Sequence, residues 1–261
     1  MELLETVVAA ARQCLSGATD LLLPEICCGC GSVNTLADGL CEPCARSLLD
    51  LVSLPYCTRC GATLGPNIPA SDEGCAACPS TLPRFKFVVR LGPYAAPLRP
   101  AIKQLKYHRH EGLLKRLGKL LAEAVANRID TSQLDVVIPV PMHWRRRLAR
   151  GYDHSRAIAS QIAGNLELPL GDELIRVRHT PPQVRLPRTR RLEMVRGAFS
   201  VKSPRTVSGA RVLLADDVTT TGATANEAAR TLLRAGASEV ALAVIAKAEP
   251  PTAYASGLQW R

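Results

Sequence analysis

The run Val212-Leu-Leu-Ala-Asp-Asp-Val-Thr-Thr-Thr-Gly-Ala-Thr224 places two adjacent carboxylates directly after an apolar stretch and follows them with hydroxyls and a glycine. The pattern predicts a buried strand over Arg211–Ala215, a loop over Asp216–Thr224 and a helix over Ala225–Ala235. Such a loop offers backbone N–H groups and hydroxyls to a phosphate monoester, helped by the positive end of the helix dipole. Asp216 and Asp217 would stand a little further out, where a sugar attached to that phosphate presents its vicinal hydroxyls. Carboxylates accept hydrogen bonds from such diols and help to hold Mg²⁺. No Gly-Lys-Ser/Thr follows, so the loop is not of the Walker A kind. The competing reading is an Asp-Asp turn before a capped helix, with no ligand at all.

A second constellation lies nearer the N-terminus. Eight of the ten cysteines form four Cys-x-x-Cys pairs: Cys27/Cys30, Cys41/Cys44, Cys57/Cys60 and Cys75/Cys78. Gly31 and Gly61 follow the first and third pairs, and a glycine there relieves the strain of the left-handed residue that closes a metal-binding turn. Two pairs make one tetrahedral four-thiolate site, so four pairs make two. Segments 31–40 and 61–74 suit hairpins that return each second pair to its first. Cys28 adjoins the first pair and blurs its register, but Gly31 favours Cys30 and hence Cys27. Cys14 fits a core position better than a ligand. Four thiolates saturate zinc and leave no position for water, which makes such a metal structural rather than hydrolytic. A disulfide scaffold, an iron–sulfur cluster and a redox dithiol are the alternatives, each disfavoured by compartment or by the number of pairs.

These groups need elements to position them. The 261 residues suffice for one large α/β domain and a small module, with 47% hydrophobic residues but only 4% aromatics to fill the core. The first residues are apolar, yet Glu2, Glu5 and Arg12 do not suit a signal peptide, and an amphipathic helix over 2–15 fits better. No uncharged apolar stretch is long enough to span a membrane. A cytoplasmic, reducing location is therefore expected, and it favours metal over disulfides. From Pro83 onward strands and helices alternate. Strands are expected at Phe85–Leu91, Asp135–Val140, Leu174–Arg178 and Val240–Ile245, and helices at Glu111–Arg128 and Ser155–Leu166. Alternation of this kind predicts a mostly parallel sheet with ligands at the carboxyl ends of its strands. The formal charge of +10 calls for anionic partners, and the basic residues gather at Arg99–Lys119, Arg145–Arg156 and Arg176–Arg196. His108, His110, His143 and His179 show no metal spacing and receive no role.

The run around Asp216 and Asp217 resembles the 5-phosphoribosyl-1-pyrophosphate (PRPP) motif of type I phosphoribosyltransferases. Nearly the whole chain is similar to the ComF (competence protein F, GntX-like) family. The likeness rests on the cysteine pairs, Leu105-Lys106-Tyr107, Pro139-Val-Pro141, Arg150-Gly-Tyr-Asp-His154, Gln183 ahead of Arg190-Arg191, and Gly197-Ala-Phe199. Asp153-His154 stands where the family usually has Asn-Gln, and Met194 lies near a usual Asn.

The resemblance implies an α/β type I phosphoribosyltransferase fold over residues 84–261, a mostly parallel sheet flanked by helices. A helix and a small four-cysteine zinc-ribbon module, doubled, would occupy residues 1–83. It further implies that Asp216 and Asp217 hold the ribose hydroxyls while Thr220, Thr221, Gly222, Ala223 and Thr224 cradle the 5′-phosphate. The loop Pro141–Tyr152 would take pyrophosphate, through Arg150 with Gly151 and less directly the Arg145–Arg147 triplet, with Lys106 as a further phosphate contact. The stretch 179–197 matches the family's flexible hood, and there Gln183, Arg190 and Arg191 would act; Asp217, Arg190 and Arg191 form the implied catalytic set. The cofactors implied are Mg²⁺, bound with PRPP, and structural Zn²⁺. The partners implied are PRPP or a nucleotide-like phosphorylated ligand, single-stranded DNA and other DNA-uptake proteins. Two functions follow: phosphoribosyl transfer to an unidentified acceptor, or a fold without turnover that binds nucleotides or single-stranded DNA in competence or repair.

Overall fold

A computed structural model describes residues 26–33, 35, 36, 38–65, 73–79, 81, 83–107, 110–178 and 193–249. Its centre is a four-stranded, fully parallel sheet. β1 (Val88–Pro93), β2 (Val136–Pro139), β5 (Arg211–Thr219) and β6 (Glu239–Lys247) lie in the spatial order β1-β6-β5-β2. β6 reads Glu-Val-Ala-Leu-Ala-Val-Ile-Ala-Lys, and every residue between its two charged ends is buried. That is what a parallel strand covered on both faces requires.

The alternation of side chains sorts the layers. Leu213, Ala215, Ala241, Ala243 and Ile245 face one apolar cluster, shared with helices α3 (Glu111–Ala126) and α5 (His154–Leu166). Val212, Leu214, Val240, Leu242 and Val244 face the other, closed by helix α6 (Ala223–Arg234). Beyond β2, Leu170 bridges Val137 in parallel sense and extends that edge.

Several expected boundaries shift. The first strand starts at Val88 rather than Phe85 and runs on to Pro93. The strand expected at Leu174–Arg178 is a short β3 (Leu174–Arg176), and it leaves the parallel sheet to pair antiparallel with β4 (Phe199–Val201). The decisive strand β5 continues through Asp216 and Asp217 to Thr219, because Asp216, Val218 and Thr219 keep their register with Val244, Ala246 and Lys247 of β6. Helix α6 accordingly begins at Ala223, after Gly222 in the left-handed conformation (φ 76°). The segment 141–152 is not simply a loop either, since α4 (Trp144–Arg150) occupies most of it.

Two further helices stand where no element is expected above, although their sequences carry a helical spacing. Helix α1 (Glu42–Ser53) buries Ala45, Leu48 and Leu51, and α2 (Leu98–Tyr107) buries Leu98, Ala101, Ile102 and Leu105. The first set recurs every three residues and the second at three- and four-residue spacing. The first cysteine region does not pack separately, for Cys27, Leu40, Cys41, Leu48 and Leu51 share one apolar cluster with Leu91, Leu98 and Leu113. The second is docked on β1 through the Val88 N–H, which donates to the Thr58 carbonyl at 2.7 Å. Thr63 clamps it to the end of β6, its N–H and hydroxyl donating to the two carboxylate oxygens of Glu249 at 2.5 and 2.6 Å. The helix expected over 2–15, with Cys14, lies outside the described residues.

Candidate functional site

The eight paired cysteines gather into two groups, Cys27/Cys30/Cys41/Cys44 and Cys57/Cys60/Cys75/Cys78, with the sulfurs of each group within 4.8 Å of one another. Closest approaches are 3.6 Å for Cys30–Cys41, 3.7 Å for Cys57–Cys78 and 3.8 Å for Cys60–Cys75. A disulfide needs about 2.05 Å. Thiolates about 2.3 Å from zinc stand about 3.8 Å apart at the corners of a tetrahedron, so both donor sets fit that metal. The turns that make this possible close as expected: the Gly31 N–H donates to the Cys27 carbonyl at 2.8 Å and the Gly61 N–H to that of Cys57 at 2.7 Å. Both glycines are left-handed, at φ 81° and 78°. Cys28 is buried beside the first group and is not part of it.

At the carboxyl end of β5 three elements converge. Asp217 arrives on β5, Lys106 on the last turn of α2, and His154 and Ser155 on the first turn of α5. Lys106 Nζ lies 2.7 Å and His154 Nε2 2.9 Å from Asp217 Oδ2. The Lys106 contact is an ion pair, and His154 approaches the same oxygen; neither is a well-aligned hydrogen bond. Asp217 Oδ1 accepts the Val218 N–H at 2.6 Å. Asp216 Oδ1 accepts from the Ser155 hydroxyl at 3.0 Å and from the Asp217 N–H at 2.9 Å.

The electrostatics divide the pair. Burial pushes the Asp216 carboxyl up, and the neighbouring Asp217 charge pushes it further, to about 7. Burial also acts against ionised Asp217, but the His154 contact and the Lys106 ammonium outweigh it and hold that carboxyl well below the usual range. One carboxylate is a fixed anion and the other readily takes a proton.

The hydroxyl-rich segment follows. Thr220 is exposed, Thr221, Gly222 and Thr224 are half-buried, and Ala223 is the buried first residue of α6. The Lys247 ammonium donates to the Thr220 carbonyl, and the Ala248 N–H donates to the Thr219 carbonyl at 2.8 Å, tying the loop to the end of β6. The strand end, the left-handed Gly222 and the helix N-terminus form a turn whose N–H groups suit an anion.

The remaining expected residues divide clearly. Lys106 meets the carboxylates. Gly151, left-handed at φ 64°, ends α4 and borders a cavity of about 730 Å³ lined also by Arg147, Tyr152, Asp153 and Arg156. Neither Asp216 nor Asp217 lines that cavity. The Arg150 side chain, and Gln183, Arg190 and Arg191 entirely, lie outside the described residues. His154 and Ser155 were missed as site residues, although His154 had been noted where the family differs. The available signal was Asp153, whose carboxylate caps α5 by accepting the Arg156 N–H at 3.1 Å and so sets His154 at the helix start. His110 and His143 also acquire roles, their Nδ1 atoms accepting the Leu113 and Arg145 N–H groups at the starts of α3 and α4.

With this geometry in place, likeness to known proteins is informative. Residues 103–254 match the phosphoribosyl transferase domain family and residues 18–80 the double zinc ribbon domain family. Competence protein F of Haemophilus influenzae is 32% identical over 223 residues, covering 84% of this chain and 94% of that protein. DNA utilization protein YhgH of Salmonella typhimurium is 33% identical over 226 residues, and its Escherichia coli counterpart 31% over 227; each alignment covers 84% of this chain and 96% of the relative.

Proposed function

This chain belongs to the family of competence protein F and DNA utilization protein YhgH, with a phosphoribosyltransferase domain, and from that premise we propose that it binds PRPP at the carboxyl end of β5. Thr220–Thr224 and the start of α6 take the 5′-phosphate, and the Asp216–Asp217 pair faces the ribose hydroxyls. The observation that carries this reading is the continuous sequence of a buried strand, two carboxylates, a left-handed Gly222 and a helix N-terminus. Mg²⁺ fits the same place, because that ion favours one or two carboxylates completed by substrate phosphates and water. It would neutralise charge on the pyrophosphate.

At the other end of the ligand, Arg150 and Gly151 take the pyrophosphate, and Arg190 and Arg191 add positive charge for it. Transfer then means attack by an acceptor nucleophile on the anomeric carbon while the bond to pyrophosphate breaks. The chain contributes position, charge neutralisation and exclusion of water rather than a covalent intermediate. Within residues 1–83 the cysteine-rich part is a pair of structural zinc ribbons after an N-terminal helix, and the cytoplasm is the compartment that keeps their thiols reduced.

The names of the relatives favour a second reading, in which the same fold serves DNA uptake or use without turnover, alongside other DNA-handling proteins. The charge of +10 suits a phosphate backbone. Calorimetric titration of the zinc-loaded chain with PRPP and Mg²⁺ decides first. Saturable binding that is lost in Asp216→Ala/Asp217→Ala is expected. Heatless titration of a well-folded wild type would refute the PRPP reading. Single-stranded DNA binding that falls steeply with salt and ignores PRPP would then establish the second.

A further inference from the structure

The two aspartates are adjacent in sequence but not equivalent in surroundings. Asp217 is 6% exposed, and both its oxygens are engaged, Oδ1 by the Val218 N–H and Oδ2 by Lys106 and His154 together. Asp216 is half-buried, and its protein contacts fall on Oδ1 alone among the hydrogen bonds described above. Two donors from different helices converge on one oxygen of Asp217. The side chains of Lys106 and His154 are only 23% and 7% exposed, so each would be costly to leave unpaired.

We propose that His154 is a positioning residue: with Lys106 it holds Asp217 in place beside Asp216, and Asp216 presents the carboxylate that meets the vicinal hydroxyls of a sugar phosphate. The proposal rests on the PRPP reading for the identity of the ligand. It assigns unequal work to the two carboxylates. Asp217 joins α2 and α5 to the end of β5, and the Ser155 hydroxyl, one residue on from His154, orients Asp216 from the same helix turn. The ordering of Asp216 thus depends on the first turn of α5, which Asp153 caps and the His154–Asp217 contact ties to β5. His154 touches no ligand in this scheme and is not a catalytic residue.

The test uses the zinc-loaded full chain with His154→Leu, His154→Gln, Asp216→Asn, Asp217→Asn and the His154→Leu/Asp217→Asn double variant. Thermal unfolding of the single and double variants gives the coupling between His154 and Asp217 without any ligand. Affinity for ribose 5-phosphate and for PRPP with Mg²⁺ is then measured by calorimetry.

The expected results are a clear unfolding coupling and affinity weakened about tenfold in His154→Leu, as for a lost charge-assisted contact. His154→Gln should recover most of that loss, because its amide still offers a donor to Asp217. Asp216→Asn should abolish binding where Asp217→Asn only weakens it. Independent unfolding effects, or equal loss of binding in the two aspartate variants, would overturn the proposal. A wild type that binds neither ligand would overturn the PRPP reading and the ligand-facing role of Asp216. Coupling in the unfolding cycle would still stand for the His154–Asp217 pairing.

Discussion

Residue identity at the end of β5 decides more than the motif suggests, because neighbouring carboxylates of one type receive opposite environments. Asp216 is pushed up, to about 7, by burial and then by the Asp217 charge. A carboxyl raised in the folded state binds its proton more readily folded than unfolded, where it titrates near about 4. Its contribution therefore favours folding increasingly as pH falls from about 7 to about 4. Asp217 has the opposite sign, its stabilising contribution being lost only as acid enters the range below about 4. Wild type minus Asp216→Asn isolates the first effect. The difference in unfolding free energy should shift towards wild type on acidification across that upper window, as followed by denaturant titration. A flat difference would mean that Asp216 ionises freely. The sequence announced the pair of carboxylates. It could not announce the asymmetry, which comes from Lys106 and His154, 111 and 63 positions before Asp217 in the chain.

At the scale of elements, the site depends on how closely α3 and α5 approach, since α5 carries His154 and Ser155. Gly118 lies at that crossing, where an added Cβ would stand 2.3 Å from Gln161 Cβ. Helix propensity alone would make Gly118→Ala stabilising by about 1 kcal/mol. Overpacking costs about 1–3 kcal/mol, and with a side-chain stem rather than a flexible tip in the way it should win. Gly164→Ala is the internal control, since it is in α5 with nothing within 4 Å. Differential scanning calorimetry should show Gly118→Ala melting below wild type and Gly164→Ala at or above it. Both melting higher would refute the close crossing. The helical periodicity of α3 and α5 was legible, as was the strand before Asp216. The extension of β5 to Thr219 was not, because polar residues normally end a buried run and only pairing with β6 carries the strand past them.

For the whole molecule, the cysteine region and the sheet are one packing problem. Leu40, Leu48 and Leu51 share a cluster with Leu91 and Leu98, and Glu249 at the end of β6 grips Thr63. Zinc should therefore support more than its own ribbons. Chelation is expected to release two zinc ions per chain, to unfold the cysteine region, and to lower the melting temperature of the remainder. Spectrophotometric zinc release alongside thermal unfolding checks this; an unchanged second transition would show that the α/β domain stands alone. By itself the sequence determined the four cysteine pairs, the alternation that makes a parallel sheet, and the phosphate-turn signature after β5. Those are local facts, set by spacing, periodicity and residue type over a few turns of chain. Only the tertiary structure decided that the cysteine region shares the core of the sheet, that β3 leaves the sheet, and that Lys106 and His154 meet on Asp217. These depend on contacts between segments far apart in the chain, where burial and charge pairing choose among arrangements that local pattern leaves open.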